Sequence, residues 1–237
     1  VMKEITIEVE QAVKTYGGVT ALADGNLTVH SGEVMALLGA NGSGKSTLSK
    51  ILTGVIAPNA GRIVVDGSAV SFHSPNAARR AGISAVYQEL SLIPNLTIAE
   101  NIWLAHEPLR GGFVNRREMA ARTRDLLGLF AGMVRAKVEP DALVSDLTPD
   151  ERQIVEILKM LSFDPRLIIL DEATASLDSR QVSRLLELVR EWKANGVAIV
   201  LVTHRMEEIF RIADKATVLR NGRTVGVREI AATNERE

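Results

Sequence analysis

Nine consecutive residues hold most of the chemistry this sequence can do. In Gly39-Ala40-Asn41-Gly42-Ser43-Gly44-Lys45-Ser46-Thr47, three residues without a β-carbon lead directly into a cation and two hydroxyls. The spacing G-x-x-x-x-G-K-[ST], met from Gly39 to Ser46, suits the holding of a chain of phosphates. Glycines let the backbone curl with its amides inward, close against phosphate oxygens. A helix starting at Lys45 presents further unpaired amides, and the positive end of its dipole, to the same anion. Lys45 adds a mobile full charge for the β- and γ-phosphates. Ser46 offers a hard oxygen to magnesium, an ion that keeps phosphates and waters in its shell.

A second group lies at strand ends. Leu167 to Leu170 is a run of four apolar residues, and Asp171 and Glu172 emerge from it. Asp171 is placed to hold the magnesium shell, and Glu172 to polarise a water for attack on a γ-phosphorus. An acidic pair after a strand is, alone, as much a helix cap as a catalytic pair. Beside a phosphate loop the cap is the weaker explanation. Gln88 follows an apolar stretch from Ile83, and His204 follows another from Val197 to Val202.

These residues need particular elements to position them. Val34 to Leu38 reads as a strand entering the loop, and Leu48 to Leu52 continues a helix leaving it, stopped by Gly54. Ile5 to Val9 and Leu27 to His30 alternate as antiparallel strands do, and Asp66-Gly67 and Asn221-Gly222 mark hairpin turns. Ser74-Pro75 opens a short helix, and Thr97 to Glu100 and Asn115 to Glu118 have the spacing of capping boxes. Between about 92 and 163 the signals are helices and loops with no convincing strand, which predicts a helical insertion. Arg180 to Ala194 puts Val182, Leu185, Leu186 and Val189 on one helix face. Strands alternating with helices predict an α/β fold with a largely parallel sheet and sites at the carboxyl ends of its strands.

Composition narrows the partners. The chain has 237 residues, a net charge of −1 and no cysteine, so disulfides and thiolate metal sites are excluded. Charges are dispersed, with no basic field for nucleic acid. The longest apolar runs are strand length, far below the ~20 residues of a membrane helix. No signal peptide is read at the start.

Tyr16, the loop, Gln88, the Leu167 to Glu172 strand and His204, in that order, resemble the ATP-binding cassette of membrane transporters over nearly the whole chain, to Gly222. The resemblance implies a P-loop NTPase: a RecA-like, mostly parallel core at 1–91 and 164–237 with antiparallel β elements, and a helical subdomain at 92–163, together one cassette. It makes Tyr16 the aromatic that stacks on adenine, Gly39 to Thr47 the Walker A loop, and Gln88 the glutamine that senses magnesium and the membrane partner. Asp171 and Glu172 end the Walker B strand, Ser176 to Asp178 is a dimer-contact loop, and His204 is the switch histidine at the γ-phosphate. On residues alone, Tyr16 is as well a packed aromatic, Gln88 a surface amide and His204 a helix cap. Phe72 to Pro75, Val86 to Leu90, Gly112 to Asn115 and Thr203 to Ile209 are similar to ATPases of bacterial monosaccharide importers. Such proteins work with ATP and magnesium at the cytoplasmic face of the inner membrane, with permease subunits, a second cassette and, indirectly, a periplasmic sugar-binding protein. They usually carry two cassettes in tandem, where this sequence shows one.

Two positions depart from that family. Where it has Leu-Ser-Gly-Gly-Gln, a segment that donates amides to the γ-phosphate of an opposing cassette, this chain has Leu147-Thr148-Pro149-Asp150-Glu151. Pro149 has no amide proton, and Asp150 and Glu151 bring carboxylates toward the phosphate. Like charges at ~4 Å repel by about 4 kcal/mol at an effective dielectric of 20, against ~0.3 to 1 kcal/mol returned by a helix terminus. Repulsion wins unless the side chains turn away. The other departure is Ala173, where the family usually has proline, which softens the turn after Glu172.

Overall fold

The alternation at the start of the chain builds a longer ribbon than its two short stretches predict. β1 (Thr6–Tyr16) and β2 (Val19–His30) pair antiparallel, with Tyr16 opposite Val19 across Gly17-Gly18. β3 (Val34–Leu38) then feeds α1 (Lys45–Leu52), and Gly54 beyond it takes a φ of 68°. β4 (Ala60–Val65) and β5 (Ser68–Val70) turn at Asp66-Gly67, both left-handed as a tight hairpin requires. The Ser74 side chain accepts from the Ala77 amide to start α2 (Pro75–Arg80), and β6 (Ile83–Val86) follows.

The helical stretch comes next. α3 (Ile98–Trp103) begins with the reciprocal capping box of Thr97 and Glu100. β7 (Leu109–Arg110) and β8 (Phe113–Val114) then form a two-residue hairpin around Gly111-Gly112, where only helices and loops were expected. Gly-Gly supplied the turn, but pairs this short leave no periodicity to read. α4 (Arg116–Gly128) is capped by the Asn115 side chain on the Glu118 amide, while Glu118 accepts from the Asn115 side chain rather than its backbone. α5 (Pro149–Leu161) completes this stretch.

The chain returns with β9 (Leu167–Asp171), α6 (Ser179–Ala194), β10 (Ala198–Val202), α7 (Met206–Ile212), β11 (Lys215–Arg220) and β12 (Arg223–Glu229). One ten-stranded sheet runs β5-β4-β1-β2-β12-β11-β3-β10-β9-β6. β11, β3, β10 and β9 are parallel neighbours, whereas β5, β4, β1 and β2 are antiparallel. The antiparallel element is therefore continuous with the parallel core.

Residues 4–232 are described by this computed structural model. They form two units, one of residues up to Ala85 with Pro165–Glu172 and everything from Leu186, the other of Val86–Asp164 and Ala173–Leu185. In the first, period-2 alternation sends Met35 and Leu37, Leu167 and Ile169, and Val200 and Val202 into one core with Leu48, Ile51 and Leu52 of α1. In the second, α3 packs on α4 and α5, burying Ile98, Ile102, Met119, Phe130, Ile154 and Leu158. Gln181 and Arg184 bond to carbonyls of Met133 and Leu129, which is why the start of α6 belongs to the helical unit.

Inside the helical unit the buried Trp103 Nε1 donates to Thr123 Oγ1 at 3.0 Å. Thr123→Val keeps the shape but leaves the indole N–H without an acceptor. Urea unfolding should show it less stable by about 1 to 3 kcal/mol; an unchanged midpoint would mean that this bond carries no net stability.

Candidate functional site

The phosphate loop leaves β3 where that strand lies between β11 and β10. Gly39 has a φ of 152°, and a β-carbon there would sit 2.4 Å from both the Leu219 carbonyl and Ser43 Oγ. Gly44, at 108°, would place one 2.9 Å from the Ala21 carbonyl. The loop is thus held tightly by β2 and β11, and side chains are excluded at both positions. The Asn221-Gly222 turn braces it: the Gly222 amide donates to the Ser43 carbonyl at 3.0 Å, and the Gly222 carbonyl accepts from Ala23 at 2.7 Å. Asn41 and Gly42 are exposed at the crest, Ser46 is exposed, and Thr47 half-buried at the start of α1.

Lys45 reaches across the loop, its Nζ donating to the carbonyls of Gly39 at 2.7 Å and Ala40 at 3.2 Å. No side chain caps α1, whose N-cap is Gly44. Ser43 Oγ is buried and, among the described residues, has no hydrogen-bond partner. A cation satisfied only by backbone carbonyls, an uncapped helix start and an orphaned hydroxyl suit a polyphosphate.

Asp171 ends β9 in register with Val202 of β10 and is 6% exposed. Burial, then the neighbouring Glu172 charge, pushes its carboxyl up to about 6, with Lys45 and Lys50 pulling the other way. A carboxylate short of positive charge, with the Ser46 hydroxyl as the other candidate oxygen, is the thin protein donor set that suits magnesium carrying phosphate ligands. Glu172 takes a φ of 52°, a left-handed conformation costly for a residue with a β-carbon. Its amide donates to the Val202 carbonyl at 2.9 Å, which holds that turn despite Ala173. His204 Nδ1 lies 3.6 Å from Glu172 Oε1.

The ends of β3, β9 and β10 therefore gather residues 39–47, Asp171, Glu172 and His204 within one unit. Tyr16 is in the same unit, at the tip of the β1–β2 ribbon. Gln88 belongs to the helical unit, exposed on the segment after β6. Ser91, three residues on, donates to Glu156 at 2.6 Å and accepts from Lys159 at 2.9 Å, so the segment carrying Gln88 is fastened to α5. Nothing in the sequence signalled those two partners, since more than sixty residues separate Ser91 from them.

The carboxylates of the altered segment are engaged by partners inside the helical unit. Glu151 is 1% exposed and takes Arg135 Nε at 2.6 Å, with Arg135 Nη2 on its other oxygen and the Thr148 amide at 3.0 Å. Asp150 accepts from Gln181 Nε2 at 2.8 Å. The Arg135 hydrogen bonds hold the Glu151 carboxyl at about 2 against the pull of burial. For Asp150 burial acts upward, but hydrogen bonds with Thr148 and Gln181 outweigh it and leave the carboxyl below its ordinary value. Neither Arg135 nor Gln181 was legible beforehand.

A phosphate loop and a carboxylate-ended strand, one strand apart at the same edge of strand ends in an α/β sheet, define a P-loop nucleotide-binding fold. The ABC transporter family profile matches residues 22–175, and the chain belongs to that family. It is 43% identical over 232 residues to the ribose import ATP-binding protein RbsA 3 of Rubrobacter xylanophilus, covering 98% of this chain and 46% of that one. It is 44% identical over 221 residues to RbsA of Chromobacterium violaceum, covering 93% and 43%. The chain thus spans less than half the length of these relatives. A solved ATP binding subunit of an ABC transporter aligns with a TM-score of 0.79 at 28% identity, covering 94% of this chain and 89% of that one. A dimeric ATP-binding cassette bound to ADP and Pi aligns with a TM-score of 0.82 at 23% identity, covering 94% and 98%, and so speaks for the fold.

Because folding lowers the Glu151 pKa from 4.5, its ion pair stabilises the protein fully above that pH and loses its effect as pH falls toward about 2. Urea midpoints of wild type and Glu151→Gln should differ most near pH 7 and converge as pH drops below 4.5. A gap independent of pH would contradict the assignment.

Proposed function

We propose that this chain is the ATP-binding and ATP-hydrolysing cassette, or half-subunit, of an importer for a simple sugar. One observation carries the reading: the phosphate loop, Asp171, Glu172 and His204 converge at neighbouring strand ends, with Glu172 and His204 3.6 Å apart. The sugar class rests on the names of the relatives, which are ribose import proteins.

ATP enters as substrate. Lys45 exchanges its bonds to the Gly39 and Ala40 carbonyls for β- and γ-phosphate oxygens, and the amides of residues 42–47 line the rest. Ser43 and Asn41 supply further polar atoms at the loop, and Tyr16 stacks on adenine. Ser46 and Asp171 would hold magnesium, which when bound would neutralise charge on the phosphates. Glu172 orients the attacking water and takes its proton, and His204 beside it donates to the γ-phosphoryl oxygens. Positioning and electrostatics do most of this work.

The partners are a second cassette, tandem or separate, and permease subunits, with a periplasmic sugar-binding protein acting through the permease. No described helix is long and apolar enough to cross a membrane. In this reading the chain is a peripheral subunit at the cytoplasmic face of the inner membrane. Nucleic acid is not a partner in this reading.

A cassette that binds ATP and hydrolyses little is not favoured, because Glu172 and His204 are in place. The Pro149-Asp150 segment instead makes the chain a poor donor to an opposing nucleotide. Pro149 has no amide hydrogen, and the Glu151 carboxylate already takes the Thr148 amide.

With a competent second cassette, Glu172→Gln should retain ATP binding and lose about a hundredfold or more of turnover. Phosphate release at the wild-type rate would contradict the role of Glu172. Restoring Gly-Gly at 149 and 150 should raise turnover at the opposing site; no change would show that this segment is not limiting.

A further inference from the structure

We propose that Lys14 is a positioning residue for Tyr16, fixing one face of its ring so that the other receives a purine. This rests on the nucleotide reading of the phosphate loop and adds a residue that the reading does not use. Lys14 Nζ lies over the Tyr16 ring, 5.4 Å from its centroid, and donates to the Ala57 carbonyl at 2.7 Å. The Thr15 amide between them donates to Asn59 Oδ1 at 2.8 Å. The ribbon tip is therefore pinned to the loop that follows α1, although Tyr16 itself is 47% exposed and Val19 opposite it 69%.

The ribbon also runs past the phosphate loop. Ala21, two residues beyond Val19, has its carbonyl 2.9 Å from where a β-carbon on Gly44 would sit. Tyr16 pairs across the ribbon with Val19, which lies about 7 Å along β2 from that contact. An aromatic ring left exposed at such a place, with an anchored ammonium on one face, has its opposite face free for a flat ligand. The cation draws π-electron density toward itself, which improves stacking of an electron-rich purine on the other side. Anchoring by Ala57 keeps the lysine from following solvent, so the ring is ordered before the base arrives.

The test is calorimetric titration of the whole chain with magnesium ATP and, separately, with magnesium tripolyphosphate, which has no base. Lys14→Met keeps the aliphatic stem and removes the charge. It should weaken ATP about two- to fivefold and leave tripolyphosphate unchanged, while Lys14→Arg restores ATP affinity. In a Tyr16→Leu background, Lys14→Met should bring no further loss. ATP affinity unchanged or tightened in Lys14→Met, an equal loss for both ligands, or an undiminished loss without Tyr16 would overturn the inference. Tripolyphosphate and ATP both failing to bind the folded wild type would overturn the nucleotide reading itself, and this inference with it.

Discussion

Two carboxylates at the end of a strand buried along its whole length impose the constraint on which this structure depends. The buried Asp171 carboxylate is repelled by the Glu172 charge beside it, and Lys45 and Lys50 oppose that only in part. The fold tolerates this because β9 is tied to β10 along its whole length and Glu172 is held by the Val202 carbonyl in a left-handed turn. On the proposed function the missing counter-charge arrives with the substrate and its ion. The phosphate loop shows the complementary deficit, an uncapped helix start and a lysine with only carbonyls to bind. Each half of the site is incomplete in the sense that the other ligand would correct.

The sheet gives these deficits their geometry. β3 and β9 flank β10, so their carboxyl ends bring the loop, the acidic pair and His204 together. Bracing comes from the antiparallel side, where the Asn221-Gly222 turn bonds to both Ser43 and Ala23. That one hairpin links the phosphate loop to the first half of β2, whose opening residue Val19 pairs with Tyr16.

The candidate residues that the structure gathers were legible because their chemistry is local. Gly39 to Thr47 forms a single loop, and Asp171 and Glu172 sit where an apolar run stops, so spacing alone placed both. The hairpins at Asp66-Gly67 and Asn221-Gly222 were legible for the same reason, since a two-residue turn demands positive φ and names its residues. What stayed hidden depends on contacts between distant residues. The fate of Asp150 and Glu151 turned on Arg135 and Gln181, sixteen and thirty-one residues away, which no periodicity connects to them. The full length of β1 and β2 was missed because register shifts after Val9 break the alternation that reveals a strand. The β7–β8 hairpin escaped because two residues per strand carry no period.

The most direct measurement is a crystal structure of this chain with a non-hydrolysable ATP analogue and manganese, located by its anomalous signal. The account predicts the triphosphate within residues 39–47, with Lys45 turned from its carbonyls onto phosphate oxygens and the metal beside Ser46 and Asp171. A triphosphate bound elsewhere, or a metal remote from both residues, would contradict it.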